Sequence, residues 1–169
     1  ERQDKLEREW IAKLARWQAM LGTDRDIVAR ESIRNISDPG AVKGVGSLLR
    51  NEADPKYRCL YLEALAHVGA PDAIGLMANV ALDDPVEEVR LTCLDYLKKR
   101  KDTSVVSFFV GQLRSKDNRV VNRAGVGLSY MNDRSAIGPL IDALITVHKY
   151  KVVSGSSNPG SMSAGFSSN

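Results

Sequence analysis

Residues 64–77 read ALAHVGAPDAIGLM, and the phrase returns three more times in altered form. Its counterparts are SIRNISDPGAVKGV at 32–45, YLKKRKDTSVVSFF at 96–109 and GLSYMNDRSAIGPL at 127–140. Set in register, Val42, Ile74, Val106 and Ile137 share one position, spaced 32, 32 and 31 residues apart. Nine residues upstream stand Ile33, Leu65, Leu97 and Leu128, with the same spacings. Self-similarity at a period of this size signals stacked units, each too small to bury its own apolar face.

Inside each unit the apolar period is helical. Leu62, Leu65 and Ala66, then Ile74, Met77 and Ala81, follow i, i+3, i+4 and i+7 spacing. Aspartates punctuate the helix starts. Asp24, Asp54, Asp84 and Asp117 are expected to open one series, and Asp38, Asp102 and Asp133 the other, with Ala70-Pro71-Asp72 in the matching place. An aspartate there accepts hydrogen bonds from free first-turn N–H groups and favours the positive end of the helix dipole. Pro39, Pro55, Pro71 and Pro85 sit where a first-turn proline loses no hydrogen bond. Gly22, Gly69 and Asn132 mark left-handed stops. The spacing predicts about nine helices, at 3–21, 24–36, 39–50, 55–68, 71–82, 85–100, 103–115, 118–131 and 134–150. Links of two to four residues make neighbours antiparallel. The expected fold is all-α, a right-handed α-solenoid of helix pairs. Residues 1–22 would be an N-terminal capping helix, 23–150 four stacked pairs, and 151–169 a Ser/Gly-rich tail or linker.

Composition narrows the function classes. A 169-residue chain with 43% hydrophobic residues can bury a core. No run of about 18 apolar residues exists, so no membrane-spanning segment is expected. Two cysteines, Cys59 and Cys93, cannot form a disulfide framework, and their default role is buried packing. A net charge of +3 falls short of a nucleic-acid signature. His67 and His148 lack metal-ligand spacing, so no metal or cofactor is expected. Gly44-Val45-Gly46 and Gly125-Val126-Gly127 fall inside helices, where no free N–H groups can cradle a phosphate; close helix contact accounts for them better. No catalytic constellation is visible. The cytoplasm is the default compartment, with an exported form left open because the first residue is Glu1.

The run Asp83-Asp84-Pro85-Val86-Glu87-Glu88-Val89-Arg90 resembles the first-helix signature of HEAT repeats, in which Asp-Pro is followed by Val-Arg. Asp54-Pro55-Lys56-Tyr57-Arg58 and the segment from Asp117 to Arg123 resemble it less fully. Gly69-Ala70-Pro71-Asp72-Ala73-Ile74-Gly75-Leu76 is similar to the second-helix phrase of the short bacterial kind first noted in bilin lyases. The resemblance covers residues 23–150. The first repeat lacks Val-Arg, and helix 85–100 ends in Lys98-Lys99-Arg100-Lys101 where a Gly is usual. The resemblance implies that second helices line a concave groove. It also implies that Arg58, Arg90 and Arg123 bond to acids or carbonyls of adjacent repeats.

Counting from the Val42/Ile74/Val106/Ile137 position, the next residue is Lys43, Gly75, Ser107 or Gly138, and four further on come Ser47, Asn79, Gly111 and Asp142. Both rows should project from the core and floor a shallow groove. Lys43, Ser47, Gly75, Asn79, Ser107, Gly111 and Asp142 are therefore the candidate ligand-binding residues, for a protein or extended peptide. The competing account is that small residues here let helices pack closely.

Helix 3–21 carries Leu6, Trp10, Leu14, Trp17 and Leu21 on one seam, with Glu1–Lys5, Asp4–Arg8 and Glu9–Lys13 as outer pairs. It reads as a cap or as the second helix of a repeat, with both tryptophans packed inward. The basic run at 98–101 reads as a helix-end device. The function expected is a non-catalytic scaffold. The alternatives are a nucleic-acid-binding HEAT-like protein, disfavoured by the acids around the basic clusters, and a chromophore-lyase-like accessory factor. The open end at Leu144, Ile145 and Val147 is expected to be capped by the tail from Val152, anchored by Val152, Val153, Met162 and Phe166 on its own or a neighbouring stack, or by a second molecule, so self-association is a further expectation.

Overall fold

A computed structural model describes residues 2–144, with side chains from residue 6 onward. Among these residues the chain forms nine α-helices and no strands. They are α1 (Arg2–Met20), α2 (Asp26–Arg34), α3 (Val42–Asn51), α4 (Pro55–Val68), α5 (Pro71–Asp83), α6 (Glu87–Arg100), α7 (Thr103–Gln112), α8 (Asn118–Met131) and α9 (Ile137–Ala143). Single 3-10 turns, Pro39–Ala41 and Arg134–Ala136, lead into α3 and α9. The Glu1–Lys5 and Asp4–Arg8 pairs, His148, the end of the ninth helix and the whole tail lie outside the described residues.

Two rows make the stack. First helices pack α2 on α4, α4 on α6 and α6 on α8, while α1, α3, α5 and α7 form the second-helix row. Each second helix is also covered by the next first helix: α4 lies on α3, α6 on α5 and α8 on α7. Helix α1 takes the place of a second helix, against α2 and α3. Ile33, Leu65, Leu97 and Leu128 are buried, as are Val42, Ile74 and Val106; Ile137 is exposed.

Six aspartates share one local geometry. Asp38, Asp54, Asp84, Asp102, Asp117 and Asp133 each accept from the backbone N–H two residues on, at 2.8–2.9 Å. Five of them cap a helix or 3-10 turn directly. Two expected starts differ. Asp84 closes α5 and is buried, and α6 begins at Glu87 behind Val86. Asp24 leaves α2 to begin at Asp26, whose carboxylate accepts from the Gly22 N–H at 2.8 Å and pairs with Arg30. Gly22, Gly69 and Asn132 adopt positive φ as expected, and Lys101 does so where a glycine is usual.

On the α1 seam Leu14 is buried, Trp10, Trp17 and Leu21 are half-buried against the core, and Leu6 is exposed. The two tryptophans meet edge to face at 6.3 Å, and Trp10 Nε1 donates to Asp38 at 2.9 Å. That bond fastens α1 to the turn before α3 and leaves Trp10 a structural part.

Candidate interaction face of the second helices

The seven candidate residues lie along α3, α5, α7 and α9 because each follows the shared Val42/Ile74/Val106/Ile137 position by one or five residues; that position is buried in α3, α5 and α7 and exposed in α9. All seven, Lys43, Ser47, Gly75, Asn79, Ser107, Gly111 and Asp142, are exposed. They do not converge on one pocket. Lys43 and Ser47 line a 340 Å³ cleft between α1 and α3, walled by Ile11, Leu14, Ala15 and Leu48. Asn79 lines a separate 290 Å³ groove between α3 and α5, floored by Leu49, Leu76 and Val80, with Arg50 and Asp83 beside them and the Arg58–Asp84 pair also in its wall.

Local bonds restrain some of these side chains. Lys43 Nζ pairs with Glu7 at 2.7 Å across the mouth of the first cleft. Asn79 Nδ2 donates to the Gly75 carbonyl at 2.8 Å, one turn earlier. Ser107 Oγ donates to the Thr103 carbonyl at 3.3 Å. Glu7 and Arg50 were not among the residues expected here. Arg50 was legible as a last-turn cation of its helix, whereas nothing in the repeat register points from α1 to Lys43.

The glycines divide sharply. A methyl group at Gly44 would meet Leu14 at 2.6 Å, at Gly46 Leu76 at 2.6 Å, and at Gly127 Phe109 at 2.9 Å. These are the close helix contacts expected of the two Gly-Val-Gly runs; Gly125, 4.0 Å from Leu140, is not crowded. At Gly75, Gly111 and Gly138 a methyl group would meet nothing within 4 Å. Helix packing among the described residues therefore does not account for glycine there, although each glycine inside a helix costs about 1 kcal/mol relative to alanine.

Of the three arginines singled out by the resemblance, Arg123 reaches another repeat, Arg58 ties its own pair and Arg90 bonds locally. Arg58 Nη1 donates to both carboxylate oxygens of Asp84, at 3.0 and 2.8 Å, and both residues are buried. Arg123 donates to the Leu82 carbonyl of an earlier repeat. Burial, then the nearby Arg90 and Arg119, pull the Arg123 guanidinium below its usual range. Arg90 bonds the Asp84 and Pro85 carbonyls just before its own helix, so its tie is local.

The basic run at 98–101 is more than an end device for its own helix. Arg100 reaches back to the Ala66 and Gly69 carbonyls at the end of α4, at 3.0 and 3.1 Å. Lys98 and Lys99 lie over the rings of Tyr130 and Tyr96. Cys59 and Cys93 are free thiols on neighbouring first helices. Burial raises the pKa of both thiols, that of Cys93 well above the ordinary value, which disfavours the thiolate. Among the described residues no group of three or more His, Cys, Asp or Glu side chains could hold a metal ion. No helix there is long and apolar enough to cross a membrane.

A family model described as HEAT repeats matches residues 42–129. No curated protein matches the chain.

Proposed function

The chain belongs to the HEAT-repeat family, whose members generally serve as protein-interaction scaffolds, and from that premise we propose that it binds an extended peptide segment of a partner protein along its second helices. The observation that carries this reading is the open space above Gly75, Gly111 and Gly138. Exposed glycines with no neighbour let an incoming backbone approach the helix closely. Asn79 offers hydrogen bonds beside Gly75, and Ser47 offers one in the α1/α3 cleft, which takes an apolar side chain. The binding is non-catalytic.

The test is selection of extended peptides from a random 12-residue display library against the intact chain. Selected peptides should lose at least tenfold affinity when Gly75→Phe fills the floor or when Asn79→Arg blocks it, with helical circular dichroism unchanged. A Lys43→Glu/Asn79→Arg double variant should lose more. Peptides that bind all three variants as tightly as the native chain would refute the reading.

A further inference from the structure

The groove between α3 and α5 holds more guanidinium donors than its own acids engage. Arg50 and Arg58 both line it, beside Asp83 and Asp84. The Arg58 side chain is only 10% exposed. Its Nη1 alone meets Asp84, bonding the two carboxylate oxygens at 3.0 and 2.8 Å. A guanidinium carries five N–H donors on three nitrogens. Arg58 Nε is buried with no partner among the described residues, and Nη2 bonds to none of them either. Nε is sealed off, so Nη2 is the nitrogen left to an incoming acceptor. Donors left unmet in so buried a side chain are costly, and an acceptor that reaches them recovers that cost.

Arg50 supplies a second guanidinium at the rim. It is exposed and makes no hydrogen bond or ion pair among the described residues. Its Nη1 lies 3.7 Å from the point where a Gly46 methyl group would stand, a point that Leu76 approaches to 2.6 Å, so the guanidinium hangs over the floor of the groove. The two acids do not cancel this. Asp84 is occupied by Arg58 and by the Val86 N–H. Asp83, exposed at the rim, already attracts Arg123 of α8.

We propose that this groove is a carboxylate subsite of the peptide-binding face: a glutamate side chain of the bound segment lays its methylenes on Leu49, Leu76 and Val80 and gives its carboxylate to Arg58 Nη2 and Arg50. The inference rests on the proposed peptide reading and names the chemistry that the face selects. Glutamate suits the groove because its two methylenes match the apolar floor while its charge reaches the guanidiniums. A side chain suits it better than a chain terminus. The groove lies inside the row, with the α1/α3 cleft on one side and the open glycines Gly111 and Gly138 on the other, so an extended segment passes through it.

The experiment uses the full isotope-labelled chain and small probes. N-acetyl-glutamate α-amide should shift the side-chain Nε–H resonances of Arg50 and Arg58 saturably, and N-acetyl-glutamine α-amide should leave them in place. Arg50→Gln should weaken the glutamate probe at least fivefold, read at Arg58, and Arg50→Lys should restore part of the loss. Neither variant should move the melting temperature, because Arg50 is exposed; Arg58 stays in place because its pair with Asp84 is buried. Peptides selected on the intact chain should carry glutamate at one fixed position. Replacing it by glutamine should cost at least tenfold in affinity against the native chain and less than threefold against Arg50→Gln. Arginine resonances unmoved by the glutamate probe would overturn the inference. Equal shifts from inorganic phosphate would also overturn it, as attraction of any anion, and a stronger response to N-acetyl-leucine would assign the groove to a peptide's C-terminus. Gly75→Phe tests the open floor and the probes test the groove, so either reading can fail alone.

Discussion

First and second helices come from the same repeat, yet they are tied to their neighbours in different ways. On the first-helix side the ties are polar and cross from one repeat to another. Arg34 pairs with Glu63 at 2.8 Å, Tyr57 reaches Asp26, and Arg100 holds the end of α4, whereas Arg58 grips Asp84 at the end of α5 within its own pair, in the groove that Asn79 also lines. On the second-helix side the corresponding tie is Lys43 to Glu7, and beyond it lie small exposed residues and open glycines. One side holds the stack together; the other is left accessible. The largest expected effect comes from the buried pair, through Asp84→Ala. It strands the buried Arg58 guanidinium, whose Nε already has no hydrogen-bond partner among the described residues, and removes the acceptor of the Val86 N–H. Loss of about 3–5 kcal/mol is expected, the usual cost of breaking a buried pair from one end. Glu7→Ala on the other side breaks a pair whose lysine is exposed and should cost no more than about 1 kcal/mol. Urea midpoints that fell equally in the two variants would erase the distinction.

Glycines offer the next sharpest contrast, because one substitution should change sign between positions. Gly127→Ala pushes a methyl group to 2.9 Å from the Phe109 ring, itself buried between helices. Overpacking of that kind costs about 1–3 kcal/mol. Gly75→Ala meets nothing and gains helix propensity, so the chain should become more stable by up to about 1 kcal/mol. Thermal melts of the two variants should move in opposite directions. A destabilised Gly75→Ala would mean that the floor is part of the packing after all.

How much of this was legible in the sequence follows from how local each signal is. The 32, 32, 31 spacing, the five capping aspartates and the left-handed stops depend on residues a few positions apart, and they placed the helices nearly to their ends. Asp84 was misread because Asp-Pro looks the same whether the aspartate opens a helix or closes the previous one. Its deciding partner, Arg58, lies 26 residues away. Arg100 failed for the same reason, since its acceptors belong to the end of another helix. The glycines show the limit most clearly. Gly75 and Gly127 are both mid-helix, and only the residue opposite, empty space or Phe109, separates accessibility from close packing. Exposure of the candidate face was readable from register, whereas the cavities that flank it depend on α1, whose place in the second-helix row no repeat phrase announces.

Acid should act on both loop edges before it reaches either helix face. Hydrogen bonds hold the carboxyls of Asp38, Asp102, Asp117 and Asp133 below the ordinary value of 3.8. For Asp102 and Asp133 the bonds come first from the side chain and then from the backbone of Ser104 and Ser135; for Asp38 and Asp117 the backbone of Gly40 and Arg119 leads. A folded-state pKa below the unfolded one contributes stability that is present above the unfolded value and lost as pH falls through the folded value. Denaturant stability should therefore be flat in this respect near neutrality and decline below about pH 4, where the unfolded carboxyls begin to bind protons first. Asp102→Ala should cost about 1 kcal/mol at pH 7, a typical capping loss, and should flatten the acid limb. An acid limb unchanged by the substitution would place the sensitivity elsewhere.

The smallest expected effect on stability carries the most information about function. Asn79→Ala removes an exposed side chain whose one bond is to its own helix, and such changes usually fall within about 0.5 kcal/mol of neutral. If the second-helix side is the accessible one, this near-silent change should still weaken a selected peptide severalfold, because Asn79 sits beside the open floor at Gly75 and at the edge of the Leu76–Val80 groove. Glu63→Ala on the first-helix side breaks an exposed inter-repeat pair, so it too should cost no more than about 1 kcal/mol, but it should leave peptide affinity intact. Stability and binding would then separate by side, each measured by titration calorimetry and denaturation on the same two variants. If Glu63→Ala weakened binding as much as Asn79→Ala, the ligand would be contacting the side that holds the stack, and the division of labour between the two rows would have to be abandoned.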